Sequence, residues 1–243
     1  METRVEDTGA ILRDGYWFPD LNSELQQTLL TAAEERWYPA NDRIWRIGDP
    51  VRGLCAILKG DIRIFVKHPL VGHVQMSAIG PGCWCGIVPL SLNEPTENFE
   101  LRCAVETRIL FFPTAKLAEI ELAQPGMARA FMRLLASHQD RAADKAIEAR
   151  FEAPVRAARI LYRFFKLHGV PAGRWGASSV AFTQQDLAEL ANISRQYANR
   201  LLANWEEKGI IDWRSPSQPK VDMRKLREAS GYADQEARTR AWV

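Results

Sequence analysis

The sequence predicts an α+β chain in which a roll of short strands is followed by one long helix and then by a small helical unit carrying a two-stranded wing. Three observations predict it. From Trp37 to Phe112 turn residues cut the chain into short apolar or alternating runs, at Asn41-Asp42, Gly48-Asp49-Pro50, Lys59-Gly60-Asp61, His68-Pro69 and Gly80-Pro81-Gly82. Strands at this spacing suggest a β-barrel or jelly roll. From Gly126 to Arg150 there is neither Pro nor a further Gly, and Ala, Arg, Leu and Glu dominate, as in one long helix. Charge then divides the chain: residues 1–153 carry 17 Lys and Arg against 21 Asp and Glu, whereas residues 154–243 carry 15 against 9. A near-neutral total therefore hides a basic C-terminal third, the sign that favours approach to a phosphate polyanion.

Within the roll, Gly53–Lys59 and Asp61–Lys67 form the clearest strand pair, separated by one glycine-containing turn. Upstream, residues 22–34 carry Ser23 as a cap and Leu25, Leu29 and Leu30 at helical spacing, so this helix should pack on the sheet. In the long helix, Ala128, Met132, Leu135, Gln139, Ala142, Ala146 and Ala149 step by four and three, a stripe suited to close approach of a second helix. A parallel register, Met127, Phe131, Leu134 and His138, is free to face the roll. Periodicity alone leaves open which stripe meets a partner chain and which the chain's own core. Ala153-Pro154 ends the run, since proline disfavours helix in the residue before it and suits the first turn of a new one. A second helix over residues 154–167 then carries Val155, Ala158, Ile160, Leu161, Phe164 and Phe165 and stops at Gly169. The expected organisation is a roll over 15–123, the long helix over 124–150 and a third unit over 154–230.

Residues 182–211, FTQQDLAELANISRQYANRLLANWEEKGII, carry the most chemistry. Thr183 can cap a helix beginning at Gln184, and Asp186 sits three residues on, where a capping-box acid belongs. Leu187, Ala188, Leu190 and Ala191 give that helix its apolar face. Asn192 tolerates the left-handed conformation of a tight helix-to-helix turn, Ile193 plugs the corner and Ser194 caps a second helix. That helix should turn Tyr197, Leu201, Leu202 and Trp205 inward and leave Arg195, Gln196, Asn199 and Arg200 outside. Arg, Asn and Gln are the side chains fitted to bidentate base contacts in the major groove of double-stranded DNA. Ile210 to Arg214, with Lys220-Val221, reads as a two-stranded wing around Ser215-Pro216-Ser217. The whole is a winged helix-turn-helix.

At this point the chain resembles the cyclic AMP receptor protein and fumarate/nitrate regulator (Crp/Fnr) family. The helix starting Ser194-Arg195-Gln196 with Arg200 one turn on is similar to the family's recognition helix. GLCAILKGDIRIF is similar to its strand-Gly-strand unit and GPGCWCG to its Pro-Gly-Asp-x-x-Gly turn, and the resemblance runs over about residues 15–230. It implies a cyclic-nucleotide-binding-like roll, a homodimer joined through parallel long helices, a palindromic operator and RNA polymerase as a further partner. In cyclic-nucleotide-binding members a Gly-Glu pair and an Arg-Ser pair hold the ribose and the phosphate. The matching places here are Gly86-Ile87 and Asn98-Phe99, with Arg102 four residues past the expected Arg. Removing one partner of a buried ion pair costs about 3–5 kcal/mol, so cyclic AMP is not expected to bind. The base-contacting positions of the long helix become Ala142 and Ala143, which cannot hydrogen-bond a base.

Single residues bear on other effectors. Cys55, Cys83, Cys85 and Cys103 lack the spacing of a structural zinc site and read as core thiols. Because Cys83 and Cys85 flank Trp84, strand alternation aims both one way and Trp84 the other, which makes thiol redox sensing an alternative. Haem would need His68, His73, Cys83 or Cys85 as an axial ligand. No effector at all is the remaining reading, and no cofactor is expected. A metal enzyme on a roll would want a His cluster, whereas the four histidines are His68, His73, His138 and His168, the last two outside the roll. No run of about 18 apolar residues exists and residues 1–10 are acidic and polar, so a soluble, cytoplasmic protein that is not an enzyme is expected.

Overall fold

A computed structural model describes residues 9–12, 15–178, 180–213 and 219–232. The described residues form two compact units, one drawn from 1–73 and 78–144, the other from 145–243 with 74–77.

In the first unit, helix α1 (Ser23–Ala32) follows a single 3-10 turn at Phe18–Asp20. Its N-cap is Asn22, whose side chain accepts from Leu25 N at 2.8 Å, so the cap lies one residue before the expected Ser23. Leu25 and Leu29 are its buried stripe, and the helix gives way to β1 (Glu34–Tyr38). There follow β2 (Arg43–Trp45), β3 (Gly53–Lys59), β4 (Ile62–His68), β5 (Gly72–Ile79), β6 (Trp84–Cys85), the short helix α2 (Ile87–Ser91), β7 (Glu100–Cys103) and β8 (Thr107–Pro113). The strands form two four-stranded sheets, in the orders β1-β8-β3-β6 and β2-β7-β4-β5, which is the expected roll.

The expected pairing of β3 with β4 is not what forms. β3 lies between β8 and β6, Leu54 opposite Phe112 and Ala56 opposite Trp84, while β4 pairs with β7 in the other sheet. Gly60 makes the corner at φ +107°, with the side chain of Thr107 where a Cβ would stand. Local spacing cannot distinguish a hairpin turn from a corner between sheets. Both faces of β3 are packed, which explains its unbroken apolar run. Leu54, Ala56 and Leu58 join Trp84, Leu110 and Phe112 in one core cluster, whereas Cys55 and Ile57 join Cys83, Cys85, Ile109 and Phe111 in another. Trp84 and its flanking cysteines thus face opposite ways, as alternation requires.

Helix α3 (Thr114–Ala123) leads to α4 (Gly126–Glu148), the long helix. Met127, Ala130 and Leu134 are buried in the first cluster and Phe131 packs against it. Trp17 Nε1 donates to Ala130 O at 2.7 Å, and the Trp17 ring meets Trp84 edge-on.

In the second unit α5 (Ala153–His168) begins with proline in its first turn and buries Ala157, Ala158, Leu161, Phe164 and Phe165. An antiparallel hairpin, β9 (Gly169–Ala172) and β10 (Trp175–Ser178), comes next. The sequence gives no sign of it, because GVPAGRWGAS has neither alternation nor an apolar run. Then come α6 (Gln184–Ala191), α7 (Arg195–Glu207), β11 (Ile211–Asp212), β12 (Lys220–Asp222) and α8 (Met223–Ala229). The strands form one sheet, β11-β12-β10-β9. Among the described residues no helix is long and apolar enough to cross a membrane.

Candidate nucleic-acid interface

The helix pair α6–α7 is built by caps and a single left-handed residue. Thr183 Oγ1 accepts from Asp186 N at 3.1 Å, and Asp186 Oδ2 accepts from Thr183 N at 2.7 Å, closing the expected capping box. Two otherwise orphaned amides are satisfied, and an acid sits at the positive end of the helix. Asn192 then takes φ 51° and ψ 56°, the conformation that lets the chain reverse without glycine. Ser194 Oγ accepts from Tyr197 N at 3.1 Å and starts α7.

The apolar face of α7 is Ala198, Leu201, Leu202 and Trp205. Tyr197 is half-buried and packs against this core, as expected, and Ala198 is fully buried beside it. Arg195, Gln196, Asn199 and Arg200 are all exposed. Gln196, Asn199 and Arg200 are related by three and four residues and so share one face, with Arg195 one turn before Asn199. The Arg200 guanidinium lies 5.8 Å from the Tyr197 ring centroid, within cation–π range. At the start of α6, Thr183 is exposed and Gln184 half-buried.

Three supports of this surface carry no motif in the sequence. Arg156 on α5 donates through Nε to Ala191 O at 3.0 Å, through Nη1 to Phe151 O and through Nη2 to Asn192 O at 3.5 Å. A fixed cation thus satisfies carbonyls at the negative end of α6 and at the turn itself. Lys225 Nζ donates to Lys208 O at 2.9 Å, closing the end of α7 in the same way. Glu148 accepts from Arg159 Nε at 2.9 Å and from Arg163, which tethers the last turn of α4 to α5. Burial pushes the Glu148 carboxyl up, but Arg163 and Arg159 outweigh it and hold it below the usual carboxylate range. In the wing, Ile211 faces Val221 and Asp212 faces Lys220. Arg214 and Ser215-Pro216-Ser217 lie outside the described residues.

On α4, Ala128, Met132, Gln139, Ala142 and Ala146 are exposed, Leu135 is half-buried, and Ala149, also exposed, follows the last helical residue. Met132 is 71% exposed. The second register does pack on the roll, ending at His138, whose Nε2 lies 3.3 Å from Tyr16 Oη, with the Arg141 guanidinium 3.5 Å over the Tyr16 ring. Burial, then the Arg141 charge, lowers the His138 pKa to about 4.

At the places compared with a nucleotide pocket, Gly86 caps α2 at φ 101°, with Gly53 O only 2.6 Å from where a Cβ would stand. Ile87 is fully buried in the core, and Asn98 is exposed. Arg102 donates from Nε to Glu100 Oε1 at 3.0 Å, and Arg43 reaches the other oxygen at 3.2 Å. Burial raises Glu100, but these guanidiniums prevail and hold it below its ordinary value. His68 and His73 are exposed, whereas the four cysteines are buried free thiols.

Two domain families match the chain. Residues 35–122 match the cyclic nucleotide-binding domain and residues 155–229 the Crp-like helix-turn-helix domain. A CRP-like cAMP-activated global transcriptional regulator of Mycobacterium tuberculosis is 24% identical over 178 residues, 72% of this chain and 78% of that protein. Among solved structures, FixK2 of Bradyrhizobium japonicum superposes with a TM-score of 0.68 at 16% identity, covering 81% of this chain and 96% of that one. The c-di-GMP responsive global regulator CLP of Xanthomonas campestris gives 0.65 at 20% identity, covering 82% and 99%. With both domains matched in this order and the fold shared along most of its length, the chain belongs to the Crp/Fnr family of DNA-binding transcription regulators.

Proposed function

We propose that the chain regulates transcription as a homodimer, reading a palindromic operator through Arg195, Gln196, Asn199 and Arg200 of each subunit, without cyclic AMP as its effector. The exposed polar face of α7, a helix capped by Ser194 at its start and closed by Lys225 at its end, is the observation that carries the reading. Thr183 and Gln184, at the start of α6, complete the proposed DNA-contacting set, as residues that meet the phosphate backbone rather than the bases. Twofold symmetry of the protein requires matching symmetry in the operator, with half-sites one helical turn apart.

The α4 stripe from Ala128 to Ala149 is the dimer seam in this proposal. Small residues permit close approach of two backbones, and exposed Met132 and half-buried Leu135 supply apolar surface. The division of labour follows: residues 15–123 as the sensor roll, 124–150 as the dimerisation helix, 154–230 as the DNA-reading unit. Whether the bound regulator recruits RNA polymerase or blocks it is set by where the operator lies.

The Mycobacterium relative is described as cAMP-activated. In this chain a buried isoleucine, Ile87, stands where a carboxylate would hold the ribose, and Arg102, the nearest candidate for the phosphate, is engaged by Glu100. Calorimetry of the full chain should give no saturable heat with millimolar cyclic AMP. A micromolar dissociation constant would overturn the effector part of the reading, whereas loss of sequence-specific binding in a gel shift would overturn the DNA part.

A further inference from the structure

Cys55 and Cys85 are register partners on the antiparallel strands β3 and β6, and their Sγ atoms lie 3.0 Å apart in the interior of the roll. Directly opposed antiparallel residues have Cα atoms about 4.5–5.5 Å apart, inside the 4.4–6.8 Å span of a disulfide. Both side chains leave the same face of the sheet, so a bond between them asks for side-chain rotation and little of the backbone. The neighbouring cysteines are engaged differently. Burial raises the pKa of both thiols, and the Arg141 charge at Cys83 and Thr107 at Cys103 offset part of it.

We propose that Cys55 and Cys85 are a dithiol modification site that a hydroperoxide converts to an intrachain disulfide. In the first step one sulfur takes the terminal peroxide oxygen, the O–O bond breaks, and a sulfenic acid and an alcohol result, or water when the oxidant is hydrogen peroxide. In the second, the other sulfur attacks, the S–O bond breaks, the S–S bond forms and water leaves. Two thiols lose two electrons and two protons in all, and the peroxide gains both. The partner sulfur already lies in contact, so condensation outruns further oxidation to sulfinic acid. The Cys55 contact, burial and the nearby Glu97 carboxyl keep the Cys85 thiol well above its ordinary pKa, so the first step is slow at neutral pH. The product ties the two-residue edge strand β6 to the central strand β3.

The test treats the native full chain with millimolar hydrogen peroxide, alkylates the remaining thiols after denaturation, and maps tryptic peptides without reduction. Oxidation of exposed Met132 to its sulfoxide serves as the internal dosimeter. The expected product is residues 53–59 linked to residues 68–102 within one chain, lighter by two hydrogens, with fragmentation placing the link on Cys85. It should persist in Cys83→Ser and vanish in Cys85→Ser. Fragment assignment in the wild-type chain decides the matter even where a variant fails to fold. Linkage to Cys83, links between chains only, or recovery of Cys55 and Cys85 as free thiols once Met132 is fully oxidised would each overturn the proposal.

Discussion

At the residue scale the informative side chains are those with a single task. Arg200 stands on the outer face of α7, long enough to reach guanine O6 and N7 together, whereas Gln196 and Asn199 are matched to adenine N6 and N7. Arg200→Ala is expected to cost about 1–3 kcal/mol per half-site and to relax preference at one base-pair position. Binding to operators varied at each position, at two salt concentrations, checks this. Uniform weakening with a smaller salt slope would mean that Arg200 contacts phosphate only. His138 makes a prediction of a different kind. Its pKa is about 4 in the fold against an ordinary 6.5, because burial and Arg141 disfavour the imidazolium. Between those values the unfolded chain binds a proton that the folded chain refuses, so this contribution is intact above about pH 6.5 and is lost as pH falls towards 4. The loss is of order 3 kcal/mol at most. Denaturation of wild type and His138→Gln at pH 7 and pH 5 should show a steeper acid loss in the wild type, and parallel losses would refute it.

At the scale of elements, α6 and α7 are fixed from three sides, by the capping box, by left-handed Asn192 and by Arg156. The first two depend on residues within three positions of one another and are legible in the sequence. Arg156 lies thirty-five positions from Ala191, and nothing in its neighbourhood marks it, since an arginine near the start of a helix is ordinarily solvated. Arg156→Ala removes charge-assisted bonds to carbonyls that the helix end leaves unpaired, and should destabilise the unit by about 1.5–3 kcal/mol. Operator affinity should fall with it, and Arg156→Lys, which keeps the charge but loses the fork of donors, should recover only part. Denaturant titration beside anisotropy measurements checks both, and an Ala variant with unchanged midpoint and affinity would show that the turn holds itself. The β9–β10 hairpin lay beyond sequence reading for a related reason: its stability comes from pairing with β12 rather than from its own residue types.

At the scale of the whole molecule, the proposed dimer rests on a helix whose one register packs on the roll while the other is left exposed. Leu135→Glu would bury an ion against its own symmetry mate, so association should weaken by several kcal/mol, read as dissociation in ultracentrifugation at micromolar concentration. A variant that remains dimeric would move the seam to another face. Local order along the chain is enough to fix the sequence of the parts, the long helix, the capped pair α6–α7 with its outward Arg, Gln and Asn, and the opposite facing of Trp84 and its flanking cysteines. Each of these follows from a period or a cap, which neighbours along the chain enforce. That β3 joins β8 and β6 rather than β4, that Glu148 gathers Arg159 and Arg163, and that Cys55 meets Cys85 emerge in the folded chain alone. Those are choices among distant segments of similar local character, and they are settled by which arrangement buries both faces of the central strand and leaves buried charges paired.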